Sequence, residues 1–536
     1  MASKKTNPAL GPVRSNLEAF GVAILAAVLL KWFCLEAYQI PTSSMQPTLM
    51  GSTEAEVYDR IIVDKLLPTV REPQRWDATV FHYPLQKNQN YVKRIGGIGG
   101  DRLRIAGGNL YQVSDDNGQR SYRIIRKPDD LQRHMWKNVY PARREVRSEP
   151  KAMPESLGGV PDRSFSEDAT GFAVDLDGQA RLYLRDEKDG GMVDRVWDGY
   201  PTATARLIRE KNTPDRPQEI VPDARLTATV TAPSTLDELA FEIEVLRPGL
   251  DKLTFALVAR GGKARLQVRS KDTKVELESP EFACELPAGT PVEIAFAHVD
   301  DRLIAWRGGD ELQRLDTDGF ACRDGCALPF TGRFELPANQ RVTPLLAMKG
   351  KGKLRLTDIR IDRDQHYVQD GAPDVIEVPE GYFYMLGDNT LQSIDSRGWT
   401  AFEIGVDKDD NVVPPDTGVR NIRGNKRPMP LDREPDRDET PIPIPSAGAI
   451  VMIDENGEIL RLKGRMGSAW PGLSFKKIGS DDVQDEWQPR ETTNSKGISF
   501  VPRSDIQGRA LLVFYPFRPL SWLTGSAWPD RFGFVR

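Results

Sequence analysis

The spacing of hydrophobic and polar positions changes several times along the chain. LEAFGVAILAAVLLKWFCL (17–35) is one apolar run, fully apolar from Ala19 to Leu30, and close to the ~20 residues that cross a bilayer as a helix. After it the period shortens to that of strands. RIIVDKL (60–66), DATVFHYPL (77–85) and the strand, glycine turn, strand and hairpin of YVKRIGGIGGDRLRIAGGNLYQV (91–113) carry β-branched and aromatic residues between polar or proline breaks. Residues 116–194 are polar and read as an irregular linker. FEIEV (241–245), LTFALVA (253–259), ARLQVRS (264–270), PVEIAFAHV (291–299), RLIAW (302–306) and LRLTDIRI (354–361) alternate again, with a tight hairpin at RGGDEL (307–312). Short strands at this spacing predict an antiparallel sandwich or jelly roll over 195–368. VIEVPEGYFYMLGDNTLQSIDSRGW (375–399) reads as strand and then loop, 405–496 as a proline- and charge-rich excursion, and 497–517 as closing strands.

The flanks of the apolar run decide its meaning. Lys4, Lys5 and Arg14 precede it, and Glu18 and Lys31 sit where they can snorkel to headgroups. Trp32 and Phe33 are too bulky for a cleavage site, so a retained single-pass anchor is expected. The basic flank places the N-terminus in the cytoplasm and everything after residue 36 on the outer face of the cell membrane.

Composition narrows the function classes. At 536 residues several domains are expected. Forty prolines and 45 glycines favour β structure with many turns. A net charge of −5 argues against nucleic-acid binding. Of the four cysteines, Cys34 lies apart from Cys284, Cys322 and Cys326. They read as buried thiols or as one disulfide within the trio, since Cys322-x-x-x-Cys326 lacks the second ligand pair of a zinc site. No metal or cofactor is expected.

YQIPTSSMQPTLMG (38–51) sets two serines between prolines. A serine nucleophile needs a base and an anion hole. His82, His134, His298 and His366 have no setting that suggests a triad, and structural roles are expected for all four. A lysine serves as base when burial disfavours its cation. In NYVKRIGGIGGD, strand alternation sets Tyr91, Lys93 and Ile95 on one face. By itself this is a weak pointer, because most strand lysines reach solvent.

Four segments together are more specific. Ile40-Pro41-Thr42-Ser43-Ser44-Met45-Gln46-Pro47-Thr48-Leu49, then Asp59-Arg60-Ile61-Ile62-Val63, then Lys93-Arg94-x-x-Gly97-x-x-Gly100-Asp101, then Gly387-Asp388-Asn389-x-x-Gln392-Ser393-x-Asp395-Ser396-Arg397 resemble, in order, the boxes of type I signal peptidases, the Ser–Lys endopeptidases that remove signal peptides. Phe500-Val501-Pro502 and Gly508-Arg509-Ala510 resemble that family's closing strand. Gln392 stands where asparagine is usual, and Thr400 where glycine is usual.

The resemblance implies a mainly β chain: a transmembrane helix (17–35) after a cytoplasmic N-terminus (1–16), and a signal-peptidase-type antiparallel core in three parts (36–115, 369–404, 497–536). The linker (116–194) and sandwich (195–368) would interrupt that core first, and 405–496 second. It further implies Ser44 as nucleophile and Lys93 as base, with the Thr42 hydroxyl and the Ser44 N–H as anion hole. Ser393 would hydrogen-bond the lysine, Asp395 and Arg397 would pair to hold their loop, and Arg94 and Asp388 would be further scaffold. Ile40, Pro41, Met45, Leu49, Tyr91 and Val92 would line shallow apolar pockets for an extended substrate, accepting the small residues of an Ala-x-Ala site. Signal peptides of exported preproteins, membrane lipid and the secretion translocon are the partners implied.

Two rivals remain. Ser148-x-x-Lys151 and Ser474-x-x-Lys477 have the spacing of β-lactamase-type enzymes but lack their companion motifs, and read as chance. The other is a catalytically impaired homologue that works as an envelope binding protein through 195–368. That segment loosely resembles concanavalin/laminin-G-type sandwiches. Asp300-Asp301 there read as a solvated turn, with calcium binding as the alternative, and Trp306 reads as core packing.

Overall fold

The computed structural model describes residues 10–29, 34–116, 119–140, 151–155, 165–168, 170–185, 192–200, 208, 220–246, 252–270, 274–317, 341–369, 371–425, 442–444, 449–467, 474–516 and 533–535. The chain is mainly β. Its first sheet has nine strands, ordered Leu35–Gln39, Val57–Asp64, Ile506–Pro516, Ala78–Tyr83, Gln86–Ile98, Tyr382–Leu386 and Phe500–Pro502, with two short strands beside this path. All neighbours on the path are antiparallel. VYDRIIVD buries every second residue, as a strand with one face on a core should. The order joins residues near both ends of the chain and around position 385, so the long inserts leave from the ends of an intact sheet.

The interval read as an irregular linker is largely structured. Asn109–Asp116 and Gln119–Ile124 form a hairpin in a four-stranded sheet with Arg102–Ala106 and Ile376–Glu377. The helix Asp129–Met135 sets Leu131 and Met135 against Trp76, Leu103, Ile105 and Leu110. Gly171–Arg185 is a strand of the sandwich itself, hidden in the sequence because charged residues alternate with Phe172, Val174, Leu176, Leu182 and Leu184, all buried.

The sandwich is built on Arg341–Arg363, a strand of 23 residues. One flank pairs with Gly171–Arg185. The other pairs with Leu236–Leu246 as far as Gly350 and with Ala224–Thr231 from Arg355 onward. Between the two, a Cβ on Gly350 would stand 2.6 Å from the Thr235 carbonyl, at a φ of +147°, so the crossing requires glycine. The wing carrying Leu253–Arg260 and Lys263–Ser270 packs over the one carrying Pro291–His298 and Arg302–Arg307, around a core with Phe241, Leu257, Leu226 and Phe296. Asp300 and Asp301 in the turn between the last two strands are buried, in left-handed conformations, and are not the solvated turn expected. Trp306 is partly buried and, like Trp136, packs against the cluster of Ala297, Val299 and Ile304.

Residues 405–496 are more than a surface excursion. Ala401–Val406 pairs with Val412–Val413, Arg420–Asn425 and Arg490–Thr492. Phe402, Ile404, Ile450, Leu462 and Phe475 are buried together as a separate core.

At the N-terminus the helix is Leu10–Leu29, and Leu35 is already in a strand, so the span 17–35 is not one helix. Leu17, Phe20, Val22, Ile24, Leu25 and Val28 are exposed. No helix among the described residues is long and apolar enough to cross a membrane. Cys34 and Cys284 are free thiols, whereas Cys322, Cys326 and Ser148 lie outside the described residues.

Candidate active site

Three segments meet at Ser44. The first is the turn after the edge strand Leu35–Gln39, held by Asp59. That buried carboxylate accepts from Met50 N at 2.7 Å, its own N–H donates to Met50 O at 2.8 Å, and its carbonyl accepts from Ile40 N at 2.9 Å. Gly51 permits the closure, since a Cβ there would stand 2.6 Å from the Thr42 carbonyl. The second is the strand Gln86–Ile98, whose Lys93 is 3% exposed and donates from Nζ to Ser44 Oγ. The third is the loop 387–397. Asn389 N donates to Ser44 O at 3.1 Å, and Asn389 Nδ2 donates to Ser43 O at 3.0 Å and to Gln392 Oε1 at 3.1 Å.

Two buried ion pairs hold these segments in place. Arg94 Nε and Nη2 donate to Asp388 Oδ1 and Oδ2 at 2.8 and 2.7 Å, and Nη1 donates to Trp76 O at 2.7 Å. Thr48, four residues after Ser44, donates to Asp388 Oδ2 at 2.6 Å. Arg94, next to Lys93, is thereby tied to the loop and to the Ser44 turn at once. Arg397 holds Asp395 in the same two-pronged way at 2.8 and 2.7 Å, and Asp395 Oδ2 accepts from Gly387 N at 2.8 Å. Burial by itself pushes both carboxyls up. Arg94 at Asp388, and Arg397 with the nearby Lys93 at Asp395, outweigh it and hold both below the usual carboxylate range.

A cleft of about 430 Å³ opens on the pair, lined by residues 38–44 and 89–93 with Val80, Gln392 and Ile394. Ile40, Pro41, Tyr91 and Val92 line it. Met45 and Leu49 do not: both are fully buried in a core with Ile61, Val63 and Val80, because the turn directs them under the sheet. Gln89, Asn90, Val80 and Ile394 line the cleft although no motif marks them. Tyr91 stacks on Tyr83 with ring centroids 4.3 Å apart, which fixes the wall beside Lys93.

The groups implied for the anion hole are accessible. Neither the Ser44 N–H nor the Thr42 hydroxyl has a hydrogen-bond partner among the described residues. Ser393 differs from expectation. Its Oγ is buried and makes no hydrogen bond, to Lys93 or to any other described group, and it lies against Gly387. Of the histidines, His298 pairs with Asp223 at 3.2 Å inside the sandwich, and none lines the cleft.

Asp223, Asp300 and Asp364 bring carboxylate oxygens within 4.8 Å of one another. Lys127 Nζ stands 2.8 Å from both Asp300 and Asp364, so the chain's own ammonium occupies the place a cation would take.

A serine hydroxyl bonded to a buried lysine amine, beside two donors without partners among the described residues, is an arrangement able to support nucleophilic attack by the hydroxyl with the amine as its base. Residues 13–153 match the family model described as signal peptidase, peptidase S26. The chain is 36% identical over 99 residues to signal peptidase I of Pseudomonas aeruginosa (16% of this chain, 33% of that protein) and 32% identical over 129 residues to signal peptidase I of Leptolyngbya laminosa (23% and 59%). It thus spans about a third to three-fifths of the length of these curated relatives. A family 7 alginate lyase is among the similar solved structures, at 10% identity and a TM-score of 0.26, covering 44% of this chain and 94% of that one. The chain resembles the type I signal peptidases and carries an inserted β-sandwich.

Proposed function

We propose that this protein is a membrane-anchored serine endopeptidase that removes N-terminal signal peptides from exported preproteins after Ala-x-Ala-type sites. The observation that carries the reading is the Lys93 Nζ to Ser44 Oγ hydrogen bond at the floor of the cleft. Lys93, as the neutral amine, takes the Ser44 proton while Oγ attacks the scissile carbonyl. The Ser44 N–H and the Thr42 hydroxyl receive the oxyanion. The protonated lysine passes its proton to the leaving amine, and then as base it activates the water that hydrolyses the acyl-enzyme.

The substrate enters extended, along residues 38–42 and 89–93, in the strand-addition mode. Ile40, Pro41, Tyr91 and Val92 leave shallow apolar room, which suits small side chains. The exposed apolar residues of Leu10–Leu29 support an N-terminal anchor. With the basic residues before it, such an anchor would put the catalytic part on the outer face of the cell membrane, near emerging signal peptides, lipid and the translocon.

Cleavage of a preprotein with an Ala-x-Ala site, by the full chain in detergent from about pH 6 to about pH 10, tests the proposal. Turnover should rise with pH as the amine loses its proton. Ser44→Ala and Lys93→Ala should each lower kcat by on the order of 10⁴–10⁶ without unfolding the protein. Folded wild type that leaves the site uncut, or variants that still cut it, would refute the assignment.

A further inference from the structure

Two groups outside the nine-stranded core sheet reach the loops on either side of the nucleophile. Lys137 begins the strand Lys137–Tyr140, which pairs with the end of the sandwich's long strand through Arg363↔Lys137 and Asp362↔Asn138. Its Nζ donates to the Asp388 carbonyl at 3.0 Å. The N–H of the next residue, Asn389, is the one that donates to Ser44 O. Tyr200 acts on the other loop. Its hydroxyl donates to Gln46 Oε1, and Gln46 Nε2 donates to Gly51 O at 2.8 Å, so the Gln46 amide braces the turn that starts at Ser44.

The two groups are joined to each other and to the sandwich. Arg363 Nε donates to Asp198 at 2.5 Å and Nη2 donates to Arg195 O at 3.1 Å. Gly199 N donates to Asn138 O at 3.2 Å. Val196, Trp197 and Tyr200 pack with Met50, Ala55 and Val57 beneath the nucleophile turn, and Leu391 of the other loop joins them. Lys137, Asp198, Tyr200 and Arg363 are all buried. A segment that merely linked two domains would stay solvated and would not commit buried charges to an interface.

We infer that residues 192–200 and Lys137 are a positioning element of the catalytic site, through which the inserted sandwich fixes both the turn that carries Ser44 and the 387–397 loop bonded to it. Lys137 and Tyr200 are positioning residues: neither lines the cleft, and both act through the backbone around the nucleophile. The inference rests on the reading of Ser44 and Lys93 as the reacting pair. It gives the sandwich a catalytic consequence whether or not it also binds a ligand.

The test uses the full chain in detergent and the same preprotein, comparing wild type with Tyr200→Phe, Lys137→Met, Lys137→Gln and the double variant Tyr200→Phe/Lys137→Met. Tyr200→Phe and Lys137→Met should each lower kcat roughly 10-fold with KM changed less than about 2-fold, since a misplaced nucleophile slows the chemical step and leaves the cleft intact. The acidic limb of kcat/KM should move, because the Ser44–Lys93 contact is altered. Lys137→Gln, which keeps an N–H donor, should recover part of the loss. The double variant should fall short of the product of the singles, as both loops converge on one residue.

Should Lys137→Met fail to fold, Tyr200→Phe, which removes one oxygen, decides alone. An active wild type beside a Tyr200→Phe protein with unchanged kcat and pH profile overturns the inference. A folded wild type without cleavage overturns the hydrolase reading first, and this inference with it.

Discussion

The N–H of Asn389 donates to the carbonyl oxygen of Ser44 at 3.1 Å. The peptide of Ser44, the proposed nucleophile, is therefore bonded to a loop more than three hundred residues away along the chain. Small steric changes in that loop should reach the Ser44 hydroxyl directly.

Gly387 is the sharpest case. A Cβ there would stand 2.5 Å from Ser44 O and would also meet the Ser393 hydroxyl. The Ser44 carbonyl is backbone and cannot step aside without moving Oγ. Gly387→Ala should lower kcat about 10²-fold and cost roughly 1–3 kcal/mol of stability. Adding Ser393→Ala should return part of the stability but not the rate, because the contact with Ser44 remains. Turnover and urea midpoints of both proteins check this, and recovered turnover in the double variant would refute it.

Arg94 and Asp388 are both fully buried and joined by two hydrogen bonds. Lysine cannot reproduce the fork, and it would leave one carboxylate oxygen and the Trp76 carbonyl short of a donor. Arg94→Lys keeps the charge but leaves buried acceptors short of a donor, and should destabilise the chain by about 1–3 kcal/mol. A loss below about 1 kcal/mol in urea unfolding would show that the pair contributes little.

The Ser393 hydroxyl is buried without a hydrogen bond. Removing it relieves a desolvation cost and breaks no contact, so Ser393→Ala should be as stable as wild type or more stable by about 1 kcal/mol. A loss of more than about 2 kcal/mol would show that the hydroxyl bonds the Lys93 amine, the role implied by family resemblance.

The sequence revealed the parts of the site made from short, chemically unusual stretches. Ser44, Lys93, Arg94, Asp388, Asp395 and Arg397 sit in dense runs of glycine, charge and hydroxyl, and the structure brings all six together. Positions whose role depends on direction were less legible. Met45 and Leu49 look like pocket residues beside a nucleophile, but the turn buries them, while Val80 and Ile394 reach the cleft from a strand face and a loop tip. Gly171–Arg185 was hidden by its alternating charges. Lys137 and Tyr200 carry no local signal, since their roles exist only where two distant segments meet.

Lys137 also predicts how stability depends on pH. Burial first, and then the neighbouring Arg363, lower its pKa to about 7, against the opposing pull of Asp388, Asp198 and Asp194. The unfolded chain keeps the ordinary lysine value near ~10.4 and so binds the proton over the interval in which the folded chain has released it. Where the unfolded state binds more protons, stability rises with pH. The contribution of Lys137 is therefore largest above the unfolded value and is lost progressively as pH falls towards about 7. Below that both states are charged and it stays constant. Against Lys137→Met, wild type should gain up to about 1.4 kcal/mol per pH unit between about pH 7.5 and about pH 9.5, and nothing between about pH 5 and about pH 6. Urea unfolding of both proteins at each pH measures the difference, and a difference flat across the alkaline interval would mean that the buried amine keeps its proton in the folded chain.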